Sequence, residues 1–186
     1  MNPGARLAIL AFAASSMACS LFLGGPPPPE PTVSSSPGQL QSVETRIQQA
    51  LTEGMSTGNL HLELSQEELT AYLAGQLAAQ AQPLFTNPMV VLQDQEMLVF
   101  GRAQSGMVEA NFAATVQFSV DQNGKPEIDI GEADLGPVAM PQVIRDALAA
   151  TIDEVLTGSI GPAAIGFRLK NISIADGVMT VSGQLR

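Results

Sequence analysis

The 186-residue chain has a single imidazole, His61, and a single thiol, Cys19. Any Ser–His or Cys–His nucleophilic mechanism would have to run through His61. That residue stands in Asn59-Leu60-His61-Leu62-Glu63-Leu64, on the polar side of an alternating run. A surface histidine is the ordinary meaning of such a position. No G-x-S-x-G elbow and no phosphate-cradling glycine loop occurs. Asp121-Gln122-Asn123-Gly124, with Glu127 and Asp129 nearby, has a calcium-loop flavour, but the oxygen ligands do not fall at EF-hand spacing. A hairpin turn accounts for the same four residues. Glu127, Asp129 and Glu132 could be paired as catalytic carboxylates. Charges on the solvent face of a strand are the simpler account, and they guard against edge aggregation. One Cys and one His support neither a disulfide nor a Cys/His zinc site within the chain. The residues therefore imply no catalytic group, no metal and no cofactor. Asn171-Ile172-Ser173 is a glycosylation sequon whose use depends on the host.

Cys19 belongs to a different chemistry. Met1–Arg6 carries one positive charge, Leu7–Ala14 is an uninterrupted apolar run, and Ser15-Ser16-Met17-Ala18 precedes the cysteine. This is the layout of a secretory signal, with Cys19 where a bacterial lipoprotein carries its acylated cysteine. Ser16 stands where a lipobox usually has Leu, and Met17 where a smaller residue is usual. Ser16 and Ala18 also suit ordinary signal peptidase, which would release a secreted protein, and Leu7–Leu23 is at the lower length limit for a retained membrane anchor. Every alternative places the bulk of the chain outside the cytoplasm. We expect a signal peptide over 1–18 and a lipid anchor at Cys19. A Pro/Ser-rich tether follows over 19–38, with four consecutive prolines at 26–29. Extended, it would hold the domain about 35–40 Å from the membrane.

The elements that must position any remaining chemistry lie in one domain, 39–186. Leu40, Val43, Ile47 and Leu51 fall on one face of a helix that the pattern ends at Gly54. Leu60, Leu62 and Leu64 alternate as a half-buried strand. Ser65-Gln66-Glu67-Glu68 is a capping box opening a helix that points Leu69, Tyr72, Leu73 and Leu77 one way and stops before Pro83. Asn87-Pro88 breaks the chain before a short strand, Met89–Leu92, and Met97–Arg102 follows. From Val108 to Val120 the alternation runs unbroken through Ala110, Phe112, Ala114, Val116 and Phe118. At about 3.3 Å per residue that strand spans about 40 Å, with one face wet and the other on something apolar. Asn123-Gly124 turns it into Glu127–Asp134, with Ile128 and Ile130 inward. Pro141 opens a third helix with the stripe Val143, Ile144, Ala147, Leu148, Ile152, Val155 and Leu156. Ile165–Ile174 and Val178–Leu185 close the chain across Asp176-Gly177. The expected class is α+β: a long, curved antiparallel β-meander packed on helices.

Composition limits function further. Eight Lys+Arg against eighteen Asp+Glu give a net charge of −10, which disfavours nucleic acid. Hydrophobic residues make up 45% and aromatic residues only 4%, so the molecule must work through shape and apolar surface. Met residues at 55, 89, 97, 107, 140 and 179 fall mostly in or beside strands. Met fills cores and also accommodates variable apolar guests. Met97-Leu98-Val99-Phe100 is apolar on both faces, as in a strand that is sandwiched or turned toward a ligand.

The order Leu64-Ser65-Gln66-Glu67-Glu68-Leu69, Asn87-Pro88-Met89-Val90-Val91-Leu92, Asn123-Gly124-Lys125-Pro126, Leu135-Gly136-Pro137 and Ile172-Ser173-Ile174-Ala175-Asp176-Gly177-Val178-Met179 resembles the bacterial LmeA-like phospholipid-binding domains and the similar YpmS-like proteins. The resemblance covers about Asn59–Gly183. It implies a TULIP-like half-barrel, a curved sheet wrapping a helix with acyl chains in the groove, and no catalytic residues. The expectation is a non-catalytic, membrane-tethered, extracytoplasmic lipoprotein that binds a lipid or other apolar molecule. The candidate lining is Phe112, Val116, Phe118, Ile144, Leu148 and Ile152, all of which could equally be closed core. The alternative is a structural or interaction lipoprotein with a sealed core, its protein partner unspecified. A weaker third is an enzyme completed by a partner chain.

Overall fold

A computed structural model describes residues 21–29, 37–81, 83, 85–105, 108–136, 138–157 and 166–186. The chain is α+β, with two antiparallel sheets and three helices among these residues. In order the elements are β1 (Leu21–Phe22), α1 (Pro37–Thr57), β2 (Asn59–Ser65), α2 (Gln66–Ala78), β3 (Phe85–Gln93), β4 (Glu96–Ser105), β5 (Val108–Val120), β6 (Pro126–Leu135), β7 (Val138–Ala139), α3 (Gln142–Thr157), β8 (Phe167–Ala175) and β9 (Val178–Leu185). Sheet A is the meander β3-β4-β5-β6-β7, and sheet B is β2-β9-β8. The signal segment, Cys19 and residues 158–165 lie outside the described residues.

Sheet A forms where period two is clearest. On β5, Ala110, Phe112, Ala114 and Val116 are buried, whereas Gln117 and Ser119 are exposed. A register shift opposite Ala114/Val116 gives β6 one extra residue. Gly131 and Glu132 therefore both face outward, while Ile128, Ile130, Ala133 and Leu135 stay against the core. Asn87-Pro88 does not break the chain as expected. It forms a bulge inside β3, with Asn87 at φ 52°, and the strand begins at Phe85. The outer edge of β3 is closed by α2: the Val90 N–H donates to Thr70 Oγ1 (2.9 Å) and the Leu92 N–H to Gln66 Oε1 (3.4 Å). That strand edge is not open for pairing with another chain.

The helices follow local signals with two revisions. α2 carries the capping box: Ser65 Oγ accepts from the Glu68 N–H (3.2 Å), and the Ser65 N–H donates to Glu68 Oε2 (2.9 Å). Glu68 also pairs with Arg46 of α1 at 3.2 Å. Ser65→Ala is expected to cost about 1 kcal/mol, read as a lower urea midpoint with unchanged slope. α1 runs past Gly54 and ends at Gly58, whose φ is +75° and whose N–H donates to the Gly54 carbonyl. Gly54 is needed within the helix because a Cβ there would lie 2.8 Å from the Phe167 ring. On α3, Ile144, Leu148 and Ile152 are buried as expected, but Val143 is 62% exposed. The buried stripe is narrower than the apolar sequence suggests.

The largest departure is at the N-terminus. Leu21–Phe22, within the segment expected to be tether, pairs in parallel with Val108–Glu109. β6 covers β5 only from Ala113 onward, and β1 fills part of the edge it leaves. The Leu23 N–H donates to the Glu109 carbonyl and the Asn111 N–H to the Gly24 carbonyl, both at 2.9 Å.

Asp121 closes the β5–β6 turn, its Oδ1 accepting from the Asn123 N–H (2.8 Å) and the Lys125 N–H (2.7 Å). The backbone hydrogen bond from Lys125 is the main cause of a carboxyl pKa below its ordinary value. The folded state therefore binds this proton less readily than the unfolded chain. The resulting stabilisation is complete above the ordinary aspartate pKa of about 3.9 and fades as pH falls through the lower folded value. Asp121→Asn, which keeps an acceptor, is expected to flatten this part of an acid-unfolding curve. An unchanged acid limb would refute the assignment.

Candidate apolar site between two helices

The core joins α1 (Val43, Ile47, Leu51), α2 (Leu69, Tyr72, Leu73, Leu77), α3 (Ile144, Leu148, Ile152) and the inner faces of both sheets. The six expected lining residues divide within it. Phe112, Val116 and Leu148 are completely buried. Phe112 meets Phe85 edge to face, with ring centroids 5.3 Å apart and planes at 88°. Ile144 is buried in the same cluster. Phe118 and Ile152 border a crevice lined otherwise by Leu69, Tyr72, Leu73, Val90, Met97 and Met179. The expected strand and helix each contribute one residue to this crevice, while α2, β3, β4 and sheet B supply most of its wall.

The crevice has a volume of about 30 Å³, room for a few waters at most. No acyl chain fits it in this conformation. Between α2 and α3 a cleft of about 280 Å³ is lined by Gln76, Gln80, Phe85, Ala147, Ala150, Thr151 and Glu154. Tyr72 connects the two: it lines the crevice and hydrogen-bonds Gln76 of the cleft. Burial holds the Tyr72 hydroxyl above its ordinary pKa; the Gln76 bond opposes this, and Glu44 and Glu154 add to it. A further cleft of about 260 Å³ lies between α2 and the start of β3, bordered by Leu77, Ala78, Pro83, Phe85 and Pro88.

α3 packs chiefly on β6 and touches α2 only sparsely. Sequence reasoning missed the contribution of α2, although its stripe Leu69, Tyr72, Leu73 was visible, because which helix faces which is a property of the topology. Met97 and Met179 do line the crevice, whereas Met140 is buried in the core and Met55 is exposed. Met107 lies outside the described residues.

The polar candidates sit apart from this site. His61 Nε2 is 3.3 Å from Glu63 Oε1, and both side chains are mostly exposed. Asp121 is occupied with its turn, and Glu127 accepts from Ser119 Oγ (3.1 Å) on the outer face of sheet A. Glu127, Asp129 and Glu132 are all exposed on β6. Among the described residues no three His, Cys, Asp or Glu side chains gather to hold a metal ion, and no helix is long and apolar enough to cross a membrane. Compared with protein-family models and with curated proteins, the chain matches none.

Proposed function

We propose that this chain is a non-catalytic, extracytoplasmic protein, anchored to a membrane through Cys19, that takes up the acyl part of a lipid or another apolar molecule between α2 and α3. The observation that carries this reading is the wholly apolar crevice beneath a helix that is held mainly from one side. The resemblance to LmeA-like domains supports it through turn and cap motifs, and a TULIP-like half-barrel belongs to the same proposal.

Magnitudes decide whether the narrow crevice can widen. Uncovering Ile144, Leu148 and Ile152 would cost about 1.5–3 kcal/mol each, so about 5–9 kcal/mol if α3 left entirely. An acyl chain of about fifteen methylenes contributes about 12 kcal/mol on burial. Partial displacement costs less, so the exchange favours a long chain and disfavours a short one.

The test is uptake of an environment-sensitive apolar dye and its displacement by fatty acids of increasing length. It is repeated with Gln80→Cys and Glu154→Cys joined by a short bis-maleimide across the cleft. Dye binding that is lost on bridging is the expected result. A specific observation favours the sealed-core alternative: Phe112, Val116 and Leu148 leave no exposed surface. That alternative predicts no dye uptake with or without the bridge, and this outcome would end the lipid-binding reading.

A further inference from the structure

We propose that the docked N-terminal strand seats the domain directly on the bilayer, with the β4–β5 end of sheet A and the Phe85 side of the α2–α3 cleft facing the lipid. This rests on the lipid-anchor reading of Cys19 and deepens it. Leu21 is two residues after Cys19, so the anchor lies within about 7 Å of the point where β1 begins. β1 pairs with Val108, the first residue of β5, and Val108 pairs with Ser105, the last of β4. An acylated Cys19 would therefore be tethered, through two residues, to this end of the sheet. The proline run follows the docked strand instead of preceding it, so it does not set the distance from the membrane.

Strand register then locates the cleft. Phe85 pairs with Ala103 and Ala103 with Ala110, a row only two residues along β5 from Val108. Phe85 borders both of the wide clefts, beside Gln76, Gln80 and Thr151 on one side and Pro83 and Pro88 on the other. Their lining at Phe85 and the start of β1 thus share one end of sheet A, and the apolar crevice lies farther along, toward Met97 and Phe118.

Surface chemistry at this end fits a lipid interface. Phe22 and Leu23 are 52% and 40% exposed, and the Arg102 guanidinium lies 5.7 Å from the centre of the Phe22 ring. Exposed apolar side chains beside a cation suit a membrane–water boundary; the same Arg102 guanidinium also lies 3.8 Å from Glu109 Oε2, which offsets part of its charge. The carboxylates Glu127 and Asp129 pair with Ser119 and Gln117, toward the opposite end of β5. In a chain of charge −10, that arrangement keeps these two carboxylates away from the headgroups, while Glu109 and the cleft's Glu154 stay at the near end.

The chain contains no tryptophan, so an introduced one is an unambiguous depth probe. Full-length protein extracted in detergent would be reconstituted on phosphatidylcholine vesicles with nitroxide-labelled acyl chains. Gln104→Trp reports from the β4–β5 end and Gln122→Trp from the far turn, about 40 Å away along β5. Both wild-type residues are exposed. Quenching at 104 is expected to exceed that at 122 severalfold. Gly25→Ala should remove the difference, because its φ is +118° and a Cβ there would collide with the Asn111 carbonyl, undocking β1 without touching the core. Equal quenching on a chain whose mass shows acylated Cys19 would overturn this inference and leave the anchor standing. A chain without the acyl mass that fails to bind vesicles would overturn both. A difference that persists in Gly25→Ala would overturn the role given to β1.

Discussion

Replacing Phe112 with Ala is expected to lower unfolding stability by about 3–5 kcal/mol, a large share of the 5–15 kcal/mol usual for a domain. The ring is completely buried, and its edge-to-face contact with Phe85 couples β5 to β3 across β4. It also fills the space left by Gly101 on β4, where a Cβ would lie 2.7 Å from Phe112 Cε1. Neighbours on the central strands have little freedom to collapse into the void. Ile152→Ala removes a residue that already borders a crevice, and its cost should sit at the lower end of the range of about 2–5 kcal/mol. Urea unfolding of both variants measures the contrast. A loss below about 1 kcal/mol for Phe112→Ala would mean that its ring faces removable space, as in an open groove. Retained stability in that variant would therefore revive the groove between β5 and α3.

The parts of the fold that were legible are those whose cause is local. Ser65 and Glu68 satisfy each other within one turn of helix, so the box is visible as a spacing. The alternation along β5 is legible because its inner face meets the core from Ala110 to Val116. Where a third body intervenes, the same rules misplace boundaries. α1 tolerates Gly54 because Phe167, more than a hundred residues later, presses on that position. β2 pairs with β9, and no local pattern distinguishes that partner from β3. Asn87-Pro88 has turn chemistry, yet pairing on both sides keeps it within β3 as a bulge.

The candidate site was legible by half for a related reason. Periodicity identified apolar faces, including the stripe of α2 and the residues Ile144, Leu148 and Ile152 of α3. It carries no information about which faces meet or whether space remains between them. Val143 belongs to the expected stripe, yet it lies at the edge of the buried face and is 62% exposed. In the sequence, Leu21–Gly25 falls within the expected tether, 19–38, and overlaps the end of the apolar segment Leu7–Leu23. Its role depends on an edge of β5 that β6 fails to cover, and nothing near residue 21 signals that.

Gly124→Ala is the second large expected loss, because this glycine joins the two sheets as well as turning the hairpin. Its φ of +76° is one that Gly accepts freely, while another residue there costs about 1–2 kcal/mol. Its carbonyl accepts from the Leu169 N–H at 3.0 Å, the hydrogen bond by which β8 of sheet B is tied to the β5–β6 turn of sheet A. An added Cβ would collide with the Arg168 side chain and lie 3.0 Å from the Leu169 carbonyl oxygen, so β8 must retreat or the turn must distort. Retreat sacrifices a hydrogen bond of about 0.5–1.5 kcal/mol and loosens packing between the sheets. The combined loss should reach about 3 kcal/mol. Arg168→Ala in the same background separates the components. It removes the collision with Arg168 Cγ and leaves the positive φ, the Leu169 carbonyl contact and the Arg168 Cβ at 3.1 Å, so it should recover part of the loss but not all. Full recovery would reduce the effect to crowding at Arg168, and no loss in the single variant would mean that the sheets are not joined through this glycine.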